Sequence, residues 1–297
     1  MRIPTSCFAR LGMTCCLITS YECKPKGQYK TLHVLSVQDL SCMGKCSLTV
    51  ALPILSAMGH SCSVLPTAVL STHTGFPAPV VQPMTENLLP FATHIASVGG
   101  SFDSICTGYL SDPHQAEVVC QVLDQFDCLK VIDPAMGDHG KLYSRMTLEH
   151  VEAMKQLCRR GNILLPNLTE ASFLTGLPYR EDGDGNYLRE LCEALASFGA
   201  DGVIITGVHW DEAHTGWAGL FGEQFFSYQA KRIGRSQHGT GDMFAAVTTG
   251  ALTSGKPLHI AASLAAKFVE QVIAVTPAST PFGANFEPML PWLWEQL

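Results

Sequence analysis

From residue 31 onward the chain alternates two textures. Short apolar, β-branched runs recur, each followed by a polar or glycine-bearing break and then by a stretch with apolar residues at helical spacing. TLHVLSV (31–37) reads as a first strand ending in the polar loop QDLSCMGK, and SLTVALPILSAMG (47–59) as a helix blemished by Pro53. SCSVLPTAVL (61–70) reads as a second strand, followed by the loop STHTGFPAP and a weaker helix over 84–96. FDSICTGYL is the next strand, and SDPHQAEVVCQVLDQF opens a helix with a capping residue and Pro113 in its first turn. LKVIDPAMGDHGKLYS starts as a strand, stops at Asp133-Pro134 and becomes a glycine-containing loop. TLEHVEAMKQLCRRG is a helix closed by Gly161, and NILLPN (162–167) is another short strand. NLTE (167–170) carries the cap and third-position glutamate of a capping box. A helix over 187–198 precedes the strand DGVIITG (201–207), and GWAGLF and EQFFSYQA form an antiparallel hairpin around Gly222. Asp242 leads into MFAAVTTGALTSG, and LHIAASLAAKFVEQVIAV makes the last helix.

Repeated strand-then-helix units predict an α/β fold with a mainly parallel sheet and helices on both faces. In such sheets ligands bind beyond the carboxyl ends of the strands. That rule gathers the loops at 39–45, 72–75, 108–109, 133–143, 167–170 and 206–207, each directly after a predicted strand. No repeat, low-complexity linker or boundary divides the chain after residue 30, so 31–297 reads as a single domain. Within residues 1–30, LGMTCCLITS is too short and too polar to span a bilayer and makes a poor signal-peptide core. The expectation there is a disordered tail, or a translation start placed too early with Met13 as one candidate.

Composition narrows the ligand class. The 297 residues are nearly half apolar, enough for a sizeable core, and 19 Lys and Arg against 26 Asp and Glu leave a net charge of −7. No whole-molecule field attracts nucleic acid or an anionic membrane, so a phosphorylated ligand needs a local cationic or amide-lined pocket. The 12 cysteines are scattered from Cys7 to Cys192 without a CxxC pair. At this size they read as reduced, mostly buried thiols, which favours a cytoplasmic address.

Two nucleotide motifs fail. Gly44-Lys45 resembles the end of a phosphate-binding P-loop, but Asp39 stands where its first glycine belongs and Cys46 replaces the hydroxyl residue. GTGDMF begins like a dinucleotide fingerprint, but Phe244 occupies the third glycine position and the motif lies late, after a hairpin. What remains for GTGD is either a capped turn or an anion site. In the second case the amides of Gly239, Thr240 and Gly241 converge at a helix N-terminus, and Asp242 takes a proton from a hydroxyl that attacks phosphorus. These four residues alone leave both open.

The wider set of loops resembles a known family. GTGD before a small-residue helix, the upstream DPAMGDHGKLY loop and PNLTE between them are similar to ribokinase-like kinases of the phosphofructokinase-B type. SVQD (36–39), STHTG (71–75) and TGY (107–109) narrow the resemblance to pyridoxal, or vitamin B6, kinases over roughly residues 32–275. The resemblance implies a three-layer α/β/α fold with a mainly parallel central sheet and an antiparallel edge hairpin. It also implies ATP-dependent phosphorylation of the 5'-hydroxymethyl group of pyridoxal, pyridoxine or pyridoxamine, with Mg2+, room for a monovalent cation, and a homodimer. Asp242 matches the base and Gly239, Thr240 and Gly241 its anion hole. Asp133 and Glu170 match groups that hold the metal-bound phosphates, often through water. Lys141, Tyr143, Asn167, Thr206 and Gly207 match the ATP side. Ser36, His73, Thr74 and Tyr109 match the ring side, with one departure: Asp39 stands where B6 kinases carry the second serine of SxxS. A carboxylate there would pair with a protonated ring nitrogen or an amine. The departure keeps a hydroxymethylpyrimidine kinase in view, beside a noncatalytic ligand-binding relative; a sugar or nucleoside kinase lacks its expected lid strands.

Overall fold

A computed structural model describes residues 31–181, 184–234 and 237–296. The expectation for residues 1–30 lies outside the described residues. The strands are β1 (His33–Ser41), β2 (Ser61–Leu70), β3 (Val81–Pro83), β4 (Ser104–Thr107), β5 (Leu129–Ile132), β6 (Gly137–Asp138), β7 (Lys141–Leu142), β8 (Ile163–Leu164), β9 (Gly202–His209), β10 (His214–Phe221) and β11 (Gln224–Lys231). The helices are α1 (Leu48–Ala57), α2 (Thr85–Ser97), α3 (Pro113–Leu123), α4 (Leu148–Cys158), α5 (Leu168–Thr175), α6 (Gly185–Ala196), α7 (Thr240–Thr253), α8 (Leu258–Val275) and α9 (Leu290–Glu295).

Nine strands form one sheet in the order β11-β10-β9-β8-β5-β4-β1-β2-β3. The six from β9 to β2 run parallel, while β10, β11 and β3 pair antiparallel at the two edges. Central strands are covered on both faces and therefore read as near-continuous apolar runs: Val34, Leu35 and Val37 of β1 are wholly buried. One face packs against α2, α3, α4, α5 and α6, the other against α1, α7, α8 and α9, which gives the expected three layers. Helix α8 is long and apolar enough by composition to cross a membrane. Here its stripe of Ala261, Leu264, Ala265, Phe268 and Val272 is buried in the second of these layers.

Local chemistry explains the element starts. Asp112 caps α3 by accepting the Gln115 amide at 2.8 Å, with Pro113 at the first helical position. The capping box at the start of α5 closes in both directions: Asn167 Oδ1 accepts from the Glu170 amide (2.9 Å) and Glu170 Oε2 from the Asn167 amide (2.8 Å).

Three expectations need correction. Strand β1 does not stop at Val37 but continues to Ser41, irregularly paired with β2 between Gln38 and Leu40. Strand β9 runs to His209, so Thr206 and Gly207 lie within it rather than in a following loop. Gly207 is the extra residue in its pairing with β10, at φ 67, a bulge position that favours glycine. The 133–143 loop contains a miniature hairpin, β6-β7. Strand order reverses between β1 and β4, which places the ligand crevice beyond the carboxyl ends of those two strands.

Candidate active site

Helix α7 follows β11 on the carboxyl edge of the sheet. Its cap, Gly239, has φ 86, and a side chain there would overlap the Lys45 carbonyl oxygen, so only glycine fits the approach. No neighbouring atom lies within 4 Å of where a Gly241 side chain would begin, which leaves the first turn open for an anion to approach its amides. Asp242 sits in that first turn and is half-buried. Its carboxylate accepts the backbone N–H of Ser47, the residue that precedes α1. Two helix starts therefore meet at one carboxylate. Both would favour its charge, yet desolvation outweighs them, and with the Asp39 charge nearby the Asp242 carboxyl is pushed up to about 7. Ser47 holds φ 47, a conformation that costs on the order of 1–3 kcal/mol and is characteristic of functional sites.

Across the crevice, Asp133 stands just beyond β5. Burial raises its proton affinity, and the Glu170 and Asp242 carboxylates raise it further. Glu170 is almost wholly buried and its carboxyl is likewise pushed up by burial. Its Oε1 accepts the Met136 amide (3.0 Å) while Oε2 closes the capping box. Asn167 Nδ2 donates to the Gly137 carbonyl (2.8 Å), and the Gly140 amide donates to Thr169 Oγ1 (2.8 Å). The start of α5 thus pins the β6-β7 hairpin that carries Lys141 and leads into Tyr143. Tyr143 keeps nearly half its surface open, but burial of its phenol and the Glu170 charge push its proton affinity up. A cavity of about 310 Å³ opens beside Asn167, walled also by Asp138, His139, Tyr179, Gly207 and Arg232. Thr206 lies next to it, its amide donating to the Pro166 carbonyl (2.9 Å).

Among the described residues no three His, Cys, Asp or Glu side chains converge closely enough to form a metal cage. The donor set fits a different kind of ion. Asp133, Glu170 and Asp242 crowd negative charge, and Glu170 already gives both oxygens to amides. A hydrated divalent cation that keeps most of its waters relieves such a cluster, as Mg2+ does.

The residues expected on the ring side divide into two groups. Thr74 is exposed and Tyr109 half-exposed, with the Tyr109 phenol pushed up by burial and the Asp39 charge while Arg145 opposes them. Ser36, Asp39 and His73 are instead buried. Ser36 Oγ accepts from Gln38 Nε2 (3.1 Å), leaving Gln38 Oε1 buried without a partner. Asp39 accepts hydroxyl hydrogen bonds from Ser41 (3.4 Å) and Ser47, and burial raises its proton affinity. His73 is packed between Phe76 and His238, each ring centroid 4.8 Å away, and its Nδ1 accepts the Gly75 amide (3.0 Å).

Sequence reasoning missed Ser47, which bridges the two aspartates with its amide and its hydroxyl. The only signal for it was a serine at the mouth of a helix. Cys46, beside it, is pushed up to about 12 by burial and by the Asp242 and Asp39 charges.

Comparison with known proteins bears on the family of the chain. The sequence profile of the family described as Phosphomethylpyrimidine kinase matches residues 55–289. The crystal structure of pyridoxal kinase from Lactobacillus plantarum is 32% identical, with a TM-score of 0.83 over 89% of this chain and 97% of its own. A Bacteroides thetaiotaomicron protein described as a phosphomethylpyrimidine kinase, crystallised in an orthorhombic form with pyridoxal, is 34% identical, with a TM-score of 0.84 over 89% and 96%. The hydroxymethylpyrimidine/phosphomethylpyrimidine kinase of Bacillus subtilis is 33% identical over 178 residues, 59% of this chain and 64% of its own. With its α/β/α layers and a profile match over residues 55–289, the chain belongs to the phosphomethylpyrimidine kinase family of ribokinase-like kinases, whose relatives carry the names of both pyridoxal and hydroxymethylpyrimidine kinases.

Proposed function

We propose that the protein transfers the γ-phosphoryl group of ATP to the 5'-hydroxymethyl group of a vitamin B6 pyridine: pyridoxal, pyridoxine or pyridoxamine. The observation that carries this is Asp242, a carboxylate with proton affinity near neutrality beside an open helix N-terminus. Such a group accepts the alcohol proton as the oxygen forms its bond to phosphorus and the bond to the ADP oxygen breaks. The amides of Gly239, Thr240 and Gly241 stabilise the charge on the transferring group. On the opposite wall, Asn167, Gly207, Lys141 and Tyr143 receive the nucleotide, and Asp133 with Glu170 would hold hydrated Mg2+. When bound, that ion neutralises phosphate charge.

Thr74 and Tyr109 form the open part of the ring side, where an aromatic wall and a few polar contacts suit a flat heterocycle. The pyridine is favoured over a pyrimidine by the burial of Asp39, which is engaged by Ser41 and Ser47. Similarity to the Lactobacillus enzyme and to the pyridoxal-bound Bacteroides protein supports the same choice. The family's description favours the second assignment, hydroxymethylpyrimidine kinase. Steady-state rates with Mg-ATP and each of the three vitamers and hydroxymethylpyrimidine decide between them. We expect kcat/KM for a vitamer to exceed that for the pyrimidine by at least about tenfold. The reverse order would sink the pyridine assignment, and no turnover with any acceptor would sink the kinase.

A further inference from the structure

The P-loop-like pair Gly44-Lys45 has no nucleotide role in the scheme above, yet its backbone lies at the centre of the site. The Lys45 amide donates to the Phe282 carbonyl (2.7 Å), and the Lys45 carbonyl is closely approached by the backbones of Gly239 and Gly283. The Ala284 amide donates in turn to the His238 carbonyl (3.2 Å), next to the anion-hole turn. The Lys45 ammonium is engaged by Asn285 Oδ1 (2.8 Å) and Glu287 Oε2 (2.7 Å) and lies 5.6 Å from the centre of the Phe286 ring. The Asn285 amide is anchored to Thr276 Oγ1 (2.9 Å) at the end of α8. Two residues beyond Lys45 is Ser47, whose amide holds Asp242.

We infer that residues 282–287 act as a positioning strap. Lys45, clamped by Asn285 and Glu287, is a positioning residue that sets the Ser47 amide and the Gly239–Gly241 turn against Asp242, without itself touching substrate. Physically, both backbone polar groups of Lys45 are used. Its N–H is fixed by the strap, and its carbonyl is the surface on which the anion-hole turn rests. Movement of this peptide is therefore movement of the donors at the reacting phosphorus, and small misplacements there are amplified in rate.

The strap's catalytic consequence rests on the kinase assignment, so two measurements are paired. In the full chain, Lys45→Met and Glu287→Gln are each expected to lower kcat about tenfold while the acceptor KM stays within about twofold, and Lys45→Arg is expected to retain most of the rate. Because the Glu287 side chain is 53% exposed, the ion pair adds little to stability, and the melting temperature is expected to hold within about 2 °C. An unchanged kcat, or a fall matched by a fall in melting temperature, would overturn the inference. Hydrogen exchange of the amides at 43–47 and 238–241 is the readout that needs no turnover. Faster exchange in Lys45→Met supports the strap even if no acceptor is phosphorylated, and unchanged exchange rejects it.

Discussion

Replacing Asp242 by Asn should make the protein more stable and nearly inactive, with a gain that depends on pH in a defined way. In an unfolded chain this carboxyl ionises near 3.8, whereas in the folded protein burial and Asp39 hold it at about 7. The folded state therefore binds the proton more tightly, and stability is lost as pH rises from about 4 through about 7. The full gap of about 3 pH units corresponds to about 4 kcal/mol. Because the carboxyl is only half-buried, a cost of about 2–4 kcal/mol above pH 8 is the reasonable range. Asparagine keeps an oxygen for the Ser47 amide but carries no charge, so it escapes this cost. Melting curves from pH 4 to 8.5 should show the two proteins within about 1 kcal/mol at the acid end. At the alkaline end the variant should melt about 4–8 °C higher. Turnover should drop by at least about a hundredfold, the usual contribution of a general base. Parallel melting curves across the range would show that Asp242 does not carry a buried charge, and near-normal turnover would remove it as the base.

The acid limb of kcat/KM should titrate near pH 7, with activity falling tenfold per pH unit below it, because only the carboxylate accepts the alcohol proton. Asp39→Asn, which removes the neighbouring like charge, should move that limb to lower pH; an unmoved limb would uncouple the two groups. Glu170→Ala strips partners from the buried Met136 amide and the part-buried Asn167 amide and should cost about 2–4 kcal/mol in urea denaturation. A loss under about 1 kcal/mol would mean that water replaces both bonds.

Much of the fold was legible because its signals are local. The Asn167–Glu170 capping box, the Asp112-Pro113 helix start and the hairpin turning at Gly222 all formed where short-range chemistry placed them. The misplaced boundaries have a common cause: polar residues inside strands. Gln38 and Asp39 read as loop, but Ser36 accepts from Gln38 Nε2 while Ser41 and Ser47 donate to Asp39, and β1 continues. Gly207 read as a strand end and is a bulge. At the site, the order of loops after parallel strands brought Asp133, Asn167, Glu170 and Asp242 to one crevice. It could not separate the open ring-side residues, Thr74 and Tyr109, from the buried ones, Ser36, Asp39 and His73. Exposure there is decided by side chains distant in sequence, such as His238 against His73. The contact between Lys45 and residues 282–287 spans almost the whole chain and leaves no short-range pattern to read.

Cys46 has a consequence for covalent chemistry. It is a partly accessible thiol one residue from Ser47, the position a medicinal chemist would choose to tether an electrophile at the proposed phosphoryl-transfer centre. Raised from 9.0 to about 12, its thiolate is roughly a thousandfold scarcer at neutral pH than that of an ordinary cysteine. Burial, reinforced by the Asp242 and Asp39 carboxylates, therefore shields this sulfur from alkylation and oxidation, and among the described cysteines thiol-directed reagents are expected to find exposed Cys42 first.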